Sequence, residues 1–198
     1  MLALVHFVYP QNVLNSICQT LFDDATILCP TIEAVEEVND FILSLIDGEE
    51  RTYLSSDTPC QSDEDNNIQS EWFTSKFLND IKCSGIPNHK IKLKVGVPIM
   101  LLRNIDQANG LCNGTRLQVN HLSKNIISCT VIINKSQGQS LSKVGLYLPR
   151  LVFTHGQLYV VVSRVKTKTG LRILILDEDG NVLDNTKNVV YKEIFRNF

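Results

Sequence analysis

Strand-like apolar runs alternate with helical patterns at both ends of this chain, and the alternation restricts the folds open to it. Near the start, residues 25–29 form an apolar run typical of a buried strand, and a helical pattern begins at Ile32. In the last third, residues 145–148 and 171–176 are predicted strands on either side of a helix predicted over residues 156–165. Alternating strands and helices predict an α/β fold with a largely parallel sheet.

A polar junction joins the first predicted strand to the helix that follows it. Thr31 stands immediately before the helix, where its side chain can cap free N–H groups, and Glu33 in the first turn suits the same position. The N–H groups at the start of a helix also attract phosphate. Thr31 is therefore a candidate either for an ordinary helix cap or for a contact to a nucleic-acid phosphate.

The middle of the chain has a different, all-β pattern. Apolar and polar residues alternate from Ile91 and again over residues 115–122, as in half-exposed strands. Asn109-Gly110 and Asn113-Gly114 are turn signals, because glycine adopts the backbone angles that tight turns need. The pattern predicts a compact β-module inside an α/β chain.

A polar corner follows a strand predicted over residues 125–133. The corner consists of Asn134, Lys135, Ser136, Gln137 and Gly138. It places backbone N–H groups beside a cation, an arrangement that suits a phosphate. For Gln137 the ordinary alternative is a turn residue without a ligand.

An arginine ends the next helical segment. Residues 155–165 form an amphipathic stretch in which Arg164 stands near the end. A guanidinium there can reach a neighbouring site and stabilise charge on a transferring phosphoryl group. The alternative is a surface arginine at a helix C-terminus, where the helix dipole favours a cation. The polar corner and Arg164 together indicate a protein that couples a nucleotide to a nucleic acid.

The formal net charge of −2 conceals two segments of opposite sign. Residues 1–70 contain thirteen acidic residues and one basic residue, whereas residues 107–176 contain nine basic residues and no acidic one. The basic segment attracts polyanions and is the part suited to nucleic acid. The alternative is a solvated basic face that balances an acidic one, and Lys94 and Arg116 fit either interpretation.

Composition excludes several other classes of protein. No apolar run approaches the ~20 residues that a membrane-spanning helix needs. The six cysteines are far apart and include no C-x-x-C pair, which favours reduced thiols in an intracellular protein. Residues 55–70 are polar and acidic, but they lack the ligand spacing of a calcium loop. No metal site is predicted.

Four segments, in their order along the chain, carry a resemblance to a known family. They are Leu93–Asn104, Gly110–Leu117, Ile133–Leu141 and His155–Val165. Together they resemble the petite-integration-frequency (Pif-type) helicases, relatives of the RecD branch of superfamily-one DNA helicases. The resemblance implies a RecA-like second motor domain, a parallel sheet with helices, interrupted by a small SH3-like β-barrel insertion.

The resemblance also implies limits for these parts. Residues 1–54 would be the first part of the motor domain, 55–90 an acidic loop and connector, 91–131 the β-barrel insertion (2B-like), and 132–198 the second part of the motor domain. The barrel is expected to be incomplete, because the family has a long segment before the polar corner that is shortened here. Ile132 takes the place of the family's threonine.

The resemblance assigns roles to individual residues. Arg164 would be the arginine finger, and Gln137 and Gly138 would lie on the nucleotide side of the polar corner. The residues expected near the DNA backbone are Thr31, Asn134, Lys135 and Ser136. The implied cofactors are ATP and Mg²⁺, and the implied partner is single-stranded or forked DNA. The implied activity is 5′-to-3′ unwinding in repair, recombination and telomere maintenance, in the nucleus or mitochondrion.

One essential part of such a motor is missing from the sequence. A G-x-x-x-x-G-K-[ST] loop cradles the nucleotide phosphates, and no Gly-Lys dipeptide occurs here. Asp177-Glu178 imitates a magnesium-binding strand end, but an exposed turn is the simpler interpretation. The family's first motor domain is expected to precede Met1 or to act in trans. Two hypotheses follow: the C-terminal motor part of a helicase that is inactive alone, or a non-catalytic remnant that binds single-stranded nucleic acid weakly.

Overall fold

The chain divides into two units. The structure, a computed structural model, describes residues 1–11, 14, 24–55, 79, 88–131, 140–150 and 157–185. The first unit combines Met1–Asp47 with Ile132–Phe198, and the second is Gly48–Val131. The chain therefore leaves the first unit once and returns to it. The boundaries of the four segments predicted from the sequence stay predictions.

Three helices, a short 3₁₀ helix and nine strands are described. In chain order they are α1 (Leu2–Val8), β1 (Ala25–Leu28), α2 (Ile32–Leu45), β2 (Arg51–Leu54), β3 (Lys90–Leu93), β4 (Pro98–Met100), β5 (Arg116–Leu122), β6 (Ile127–Val131), β7 (Lys143–Leu148), α3 (Gln157–Ser163), the 3₁₀ helix Lys168–Gly170, β8 (Leu171–Leu176) and β9 (Val182–Leu183). Within these described residues, no helix has the length and apolar character needed to cross a membrane.

A mixed sheet in the order β1-β7-β8-β9 forms the centre of the first unit. Strand β7 pairs in parallel with both β1 and β8, and β9 is antiparallel to β8. The parallel sheet predicted from the sequence is thus confirmed. A strand flanked on both sides and covered on both faces should be apolar throughout, and β7 is buried from Val144 to Leu148.

Each face of this sheet has its own apolar core. On one face, Leu4 of α1 and Ala34 and Val38 of α2 pack against Tyr147. On the other face, Val161 of α3 packs with a set of strand residues: Val144, Leu146, Leu148 and Ile175. Complete burial of each large aliphatic side chain contributes about 1.5–3 kcal/mol, so these two cores fix both layers of helices on the sheet.

The second unit consists of antiparallel strands. Strand β2 pairs with β3, and β4, β5 and β6 form a three-stranded sheet in that order. Gly110 and Gly114 have φ values of +77° and +88°, which confirms the turns predicted from the two Asn-Gly pairs. The strand predicted over residues 125–133 is observed as Ile127–Val131, and its partner is β5 of this unit.

Candidate functional site

The backbone of Arg164 is fixed at the end of α3. Its N–H donates to the carbonyl of Val161 at 3.1 Å, and its carbonyl accepts from the N–H of Leu141 at 2.7 Å. The Leu141 carbonyl in turn accepts from the N–H of Lys166 at 2.9 Å, which makes a parallel bridge between Leu141 and Val165. Arg164 is therefore held at the amino end of β7 by its main chain.

The side chain of Arg164 is exposed and available to another molecule. Among the described residues, none makes a hydrogen bond or ion pair with its guanidinium. An always-charged side chain on a fixed backbone is the arrangement that stabilises an external anion. The alternative interpretation, a cation at a helix C-terminus, uses the same position after the last residue of α3.

Asp24 connects three segments around this point. Its carboxylate accepts from the Ser142 N–H and from the Lys166 ammonium, both at 3.0 Å. Its carbonyl accepts from the Ser142 hydroxyl at 3.0 Å and from the Lys143 N–H at 3.2 Å. The hydrogen bond from Lys166 is the main reason why the pKa of Asp24 lies below its usual value, with the Ser142 hydrogen bond second. We call Asp24, Ser142 and Lys166 the Asp24 clamp.

A close backbone contact tightens the same region. A Cβ atom on Gly170 would overlap the carbonyl oxygen of Ser142, which is a backbone atom and has little room to move. Gly170 is buried between β8 and this carbonyl. Only glycine allows the start of β8 to lie this close to the Asp24 clamp.

Thr31 lies at the opposite edge of the sheet from Arg164. It follows the carboxyl end of β1, whereas Arg164 is bonded to the residues that precede the amino end of β7. Because β1 and β7 are parallel neighbours, these two ends are separated by the length of a strand, roughly 17 Å for a six-residue strand. The fold therefore places the nucleotide candidate and this DNA candidate on opposite edges.

Thr31 acts as the N-cap of α2. Its side-chain oxygen accepts from the Ala34 N–H at 3.3 Å, and the residue is exposed. Arg150 follows the carboxyl end of the neighbouring strand β7 and is also exposed, so a cation lies at the same edge. Capping uses one oxygen lone pair and leaves the hydroxyl proton of Thr31 able to donate, so the cap does not exclude a phosphate contact.

Three titratable side chains, those of Glu37, Tyr147 and Cys29, interact where α2 packs on the sheet. The hydroxyl of Tyr147 donates to the two carboxylate oxygens of Glu37 at 3.1 and 3.2 Å. Burial first and the Glu37 carboxylate second raise the pKa of Tyr147 to about 12. The same two causes raise the pKa of the half-buried Cys29 thiol to about 11. Tyr147 and Cys29 are therefore protonated at neutral pH.

The polar corner lies outside the described residues. Asn134, Lys135, Ser136, Gln137 and Gly138 all fall in the range 132–139, so their roles stay predictions. The described chain resumes at Ser140, and Leu141 carries the hydrogen bonds to Arg164 and Lys166. The segment that leaves the polar corner is thus bonded to the segment that carries Arg164.

Asp177 forms an exposed turn. One of its carboxylate oxygens accepts from the N–H groups of Asp179 and Asn181 at 3.0 and 2.7 Å. The other accepts from the Asn181 side-chain amide at 3.1 Å, and the hydrogen bonds from Asn181 lower the pKa of Asp177. The predicted turn is confirmed. Across the described ranges, no group of three or more His, Cys, Asp or Glu side chains could hold a metal ion.

Four residues of this region were not recognised from the sequence. Asp24 and Glu37 belong to an acidic segment that offered no signal for their partners, which lie more than a hundred residues away. Tyr147 stood in an apolar strand and was indistinguishable from core. Arg150 was counted only as one of nine basic residues, although its position two residues after the strand predicted over residues 145–148 could have indicated the carboxyl edge.

The comparisons with known proteins all find similarity to Pif1 helicases. The family described as "DNA helicase Pif1, 2B domain" matches residues 76–122. The ATP-dependent DNA helicase PIF1 of Xenopus laevis is 28% identical over 192 residues, covering 77% of this chain and 28% of that protein. The Danio rerio protein of the same name is 28% identical over 211 residues, covering 86% of this chain and 30% of that protein. The chain thus spans less than a third of these relatives.

Two solved structures share the fold. A structure of two coordinating Pif1 helicases at forked double-stranded DNA has a TM-score of 0.56 at 19% identity, covering 97% of this chain and 49% of that chain. A Bacteroides Pif1 helicase in complex with ADP-AlF3 and single-stranded DNA has a TM-score of 0.53 at 16% identity, covering 94% of this chain and 48% of that chain. At these identities the likeness concerns the α/β fold with its parallel sheet.

Proposed function

Since this chain is a partial Pif1-like region, we propose that it is the C-terminal motor part of an ATP-dependent DNA helicase. The observation that carries the proposal is Arg164, an exposed guanidinium held by backbone hydrogen bonds at the amino edge of a parallel sheet. The first unit is then a RecA-like second motor domain, and the second unit is an incomplete SH3-like barrel inserted into it.

In this proposal, Arg164 contacts a nucleotide whose phosphates are bound by another domain. A guanidinium at a fixed backbone position stabilises the charge that develops on a transferring γ-phosphate without moving during the reaction. The Asp24 clamp and the bond to Leu141 support this role, because they hold the segments on both sides of the guanidinium. Gln137 and Gly138 belong to the same proposal as contacts to the nucleotide.

The described residues do not make a complete site for ATP and Mg²⁺. The sequence has no Gly-Lys dipeptide for a phosphate loop. The Asp177 carboxylate accepts hydrogen bonds within its own turn. One arginine can stabilise a phosphoryl group, but it cannot cradle a triphosphate or coordinate a metal ion. The phosphate-holding part is therefore proposed to come from a first motor domain, in cis or in trans, and the 198-residue chain alone is inactive.

Single-stranded or forked DNA is the proposed partner. Thr31 and the N–H groups at the start of α2 are proposed to contact a backbone phosphate, and Asn134, Lys135 and Ser136 of the polar corner belong to the same proposal. The separation of Thr31 from Arg164 across the sheet supports distinct sites for DNA at Thr31 and for the nucleotide at Arg164. The proposal includes the family's unwinding role in repair, recombination and telomere maintenance, in the nucleus or mitochondrion.

The second candidate is a non-catalytic remnant that binds single-stranded nucleic acid weakly. The missing Gly-Lys dipeptide and the shortened segment before the polar corner favour it. Both candidates predict binding of single-stranded DNA that weakens with salt, and neither predicts ATP hydrolysis by the chain alone. They differ in whether Arg164 matters once a phosphate-loop domain is supplied.

The decisive experiment adds the missing part. A purified first motor domain of a Pif1 helicase, with its phosphate loop, is mixed with this chain or with its Arg164→Ala variant, and DNA-stimulated ATP hydrolysis is measured. The motor-part proposal expects stimulation by the wild-type chain and a loss of about 10³-fold with Arg164→Ala. Equal rates with both chains would leave the remnant interpretation. Hydrolysis by the isolated chain above the Arg164→Ala level would contradict both.

A further inference from the structure

Tyr147 is a buried tyrosine whose hydroxyl has a specific task. Its side chain is 2% exposed on the central strand β7, and its ring packs with Leu4, Ala34 and Val38. A phenylalanine would fill the same apolar space, so packing explains the ring and leaves the hydroxyl to be explained. A buried tyrosine hydroxyl needs a hydrogen-bond partner, and the choice of partner shows which segment it holds.

The partner of this hydroxyl is on α2. Tyr147 donates to both carboxylate oxygens of Glu37, at 3.1 and 3.2 Å, and Glu37 is otherwise an exposed helix residue. The hydrogen bond therefore runs from the sheet to the outer flank of the helix. Hydrophobic contacts are not directional, whereas a hydrogen bond to a carboxylate restricts how a helix can rotate or slide on the sheet.

The helix held in this way begins at Thr31. Glu37 is six residues beyond Thr31, which is about 9 Å along a helix axis. Ala34 links the two ends, because its side chain lies in the cluster of Tyr147 and its N–H donates to the Thr31 side chain. A rotation of α2 that breaks the Glu37–Tyr147 bond therefore turns the capped end of the helix as well.

We propose that Glu37 and Tyr147 form a positioning pair, which sets the rotation of α2 and so aims Thr31 and the first N–H groups of the helix at a DNA phosphate. This inference rests on the proposed function, because it assumes that the start of α2 contacts DNA. It assigns Glu37 and Tyr147 no contact with DNA themselves.

The chemistry of the pair suits a permanent contact. Cys29, the residue after β1, is the other titratable group that acts on Tyr147. Burial and the Glu37 carboxylate raise the pKa of both Tyr147 and Cys29 well above neutral. The phenol is thus protonated near neutral pH, where DNA binding is measured, and can donate this hydrogen bond there.

Three variants separate positioning from charge and from stability. Tyr147→Phe removes the hydrogen bond and changes no charge. Glu37→Ala removes the hydrogen bond and one negative charge, and Glu36→Ala removes one negative charge from the same helix without affecting Tyr147. The matched control is Tyr53→Phe, which deletes a 2.6 Å tyrosine hydrogen bond to the Ser123 carbonyl in the second unit.

The measurement is the affinity of the full chain for a fluorescein-labelled oligothymidylate, at low salt and well below the melting temperature. We expect Tyr147→Phe to lower the affinity about threefold to tenfold, and Tyr53→Phe to leave it unchanged. We expect Glu37→Ala to bind more weakly than Glu36→Ala, although both lose one charge. Amide hydrogen exchange at Ala34 should also accelerate in Tyr147→Phe.

The outcomes distinguish a failure of the positioning role from a failure of the proposed function. No salt-dependent binding by the wild-type chain would end the proposed function itself. Binding that Thr31→Ala weakens but Tyr147→Phe does not, with only a lower melting temperature, would overturn the positioning role and leave the DNA contact standing. If Tyr147→Phe does not fold, the comparison of Glu37→Ala with Glu36→Ala decides: equal affinities overturn the inference.

Discussion

The backbone N–H of Leu141 donates a 2.7 Å hydrogen bond to the carbonyl of Arg164. Leu141 is three residues beyond Gly138, so this bond joins the chain that leaves the polar corner to the residue proposed as the arginine finger. A second hydrogen bond, from the Lys166 N–H to the Leu141 carbonyl at 2.9 Å, prevents the two segments from rotating about the first. A displacement of one segment must therefore displace the other or break both bonds.

Gly170→Ala should destabilise the first unit. The added methyl group would overlap the Ser142 carbonyl, a backbone atom held by the Asp24 clamp, and overpacking of this kind costs about 1–3 kcal/mol. Gly145→Ala is the matched comparison, because its methyl group would meet only side-chain atoms, of Val8 at 2.9 Å and of Ile27 and Leu4 at 3.2 Å, which can shift more readily than a backbone carbonyl. Urea unfolding should show a larger loss for Gly170→Ala, and the reverse order would contradict the close contact.

Asp24→Asn should remove a stabilising contribution that depends on pH. The pKa of Asp24 is lowered in the folded chain, chiefly by Lys166, so its contribution is complete above the unfolded value of about 3.9 and is lost as the pH falls through the lower folded value. Because Asp24 and Lys166 are about half exposed, the contribution at neutral pH is below about 1 kcal/mol.

Urea unfolding of the wild type and Asp24→Asn checks this dependence. The difference in unfolding free energy should be greatest near neutral pH, decrease with salt, and approach zero in acid below the folded pKa of Asp24. The control is Asp184→Asn, an exposed carboxylate with no hydrogen bond to any described residue. A difference that stays constant from neutral to acid pH would contradict an ionised Asp24 as the partner of Lys166.

The alternating pattern was sufficient to predict the parallel sheet, because buried parallel strands are continuous apolar runs and their helices begin and end at recognisable residues. Thr31 caps α2 as predicted, and residues 171–176 form β8 with the predicted limits. The helical periodicity was a poorer guide to which side chains of α2 are buried. Ile32 and Val35 fit the apolar face of α2, yet they are 44% and 41% exposed, because the sheet covers the helix through Ala34 and Val38.

The alternation predicted for residues 115–122 was wrong in its details. Leu117, Gln118 and Val119 are buried in succession, and the register of β5 shifts between Val119 and His121. Gln118 is buried because its side-chain amide donates to the Gly96 carbonyl at 3.2 Å, which no local pattern reveals. The Asp24 clamp and the Glu37–Tyr147 pair were beyond prediction for the same reason: each joins residues that are distant in sequence and of ordinary type.

Phe7→Leu should weaken the attachment of α1 to the sheet by more than the change in apolar area. The guanidinium carbon of Arg172 is 4.7 Å from the centre of the Phe7 ring, and the ammonium of Lys143 is 5.9 Å away. Each exposed cation–π contact contributes about 0.5–1 kcal/mol, and leucine keeps the apolar bulk without the aromatic face. A double-mutant cycle with Arg172→Met should give a coupling energy of that size, and a coupling energy of zero would contradict the contact.

Cys29 should be unreactive near neutral pH. Burial first and the Glu37 carboxylate second raise the pKa of its thiol to about 11, and only the thiolate reacts with iodoacetamide. At about pH 8, where an ordinary thiol of pKa ≈ 8.5 is partly ionised, alkylation of Cys29 in the folded chain should be far slower than in the urea-unfolded chain. The rate should rise as the pH approaches about 11.

Glu37→Gln should move this rise to lower pH by the smaller share of the pKa shift, because burial is the larger cause of that shift. Mass spectrometry of the peptide that contains Cys29 measures the rate, and equal rates in the folded and unfolded chain at about pH 8 would show that the thiol is neither buried nor influenced by Glu37.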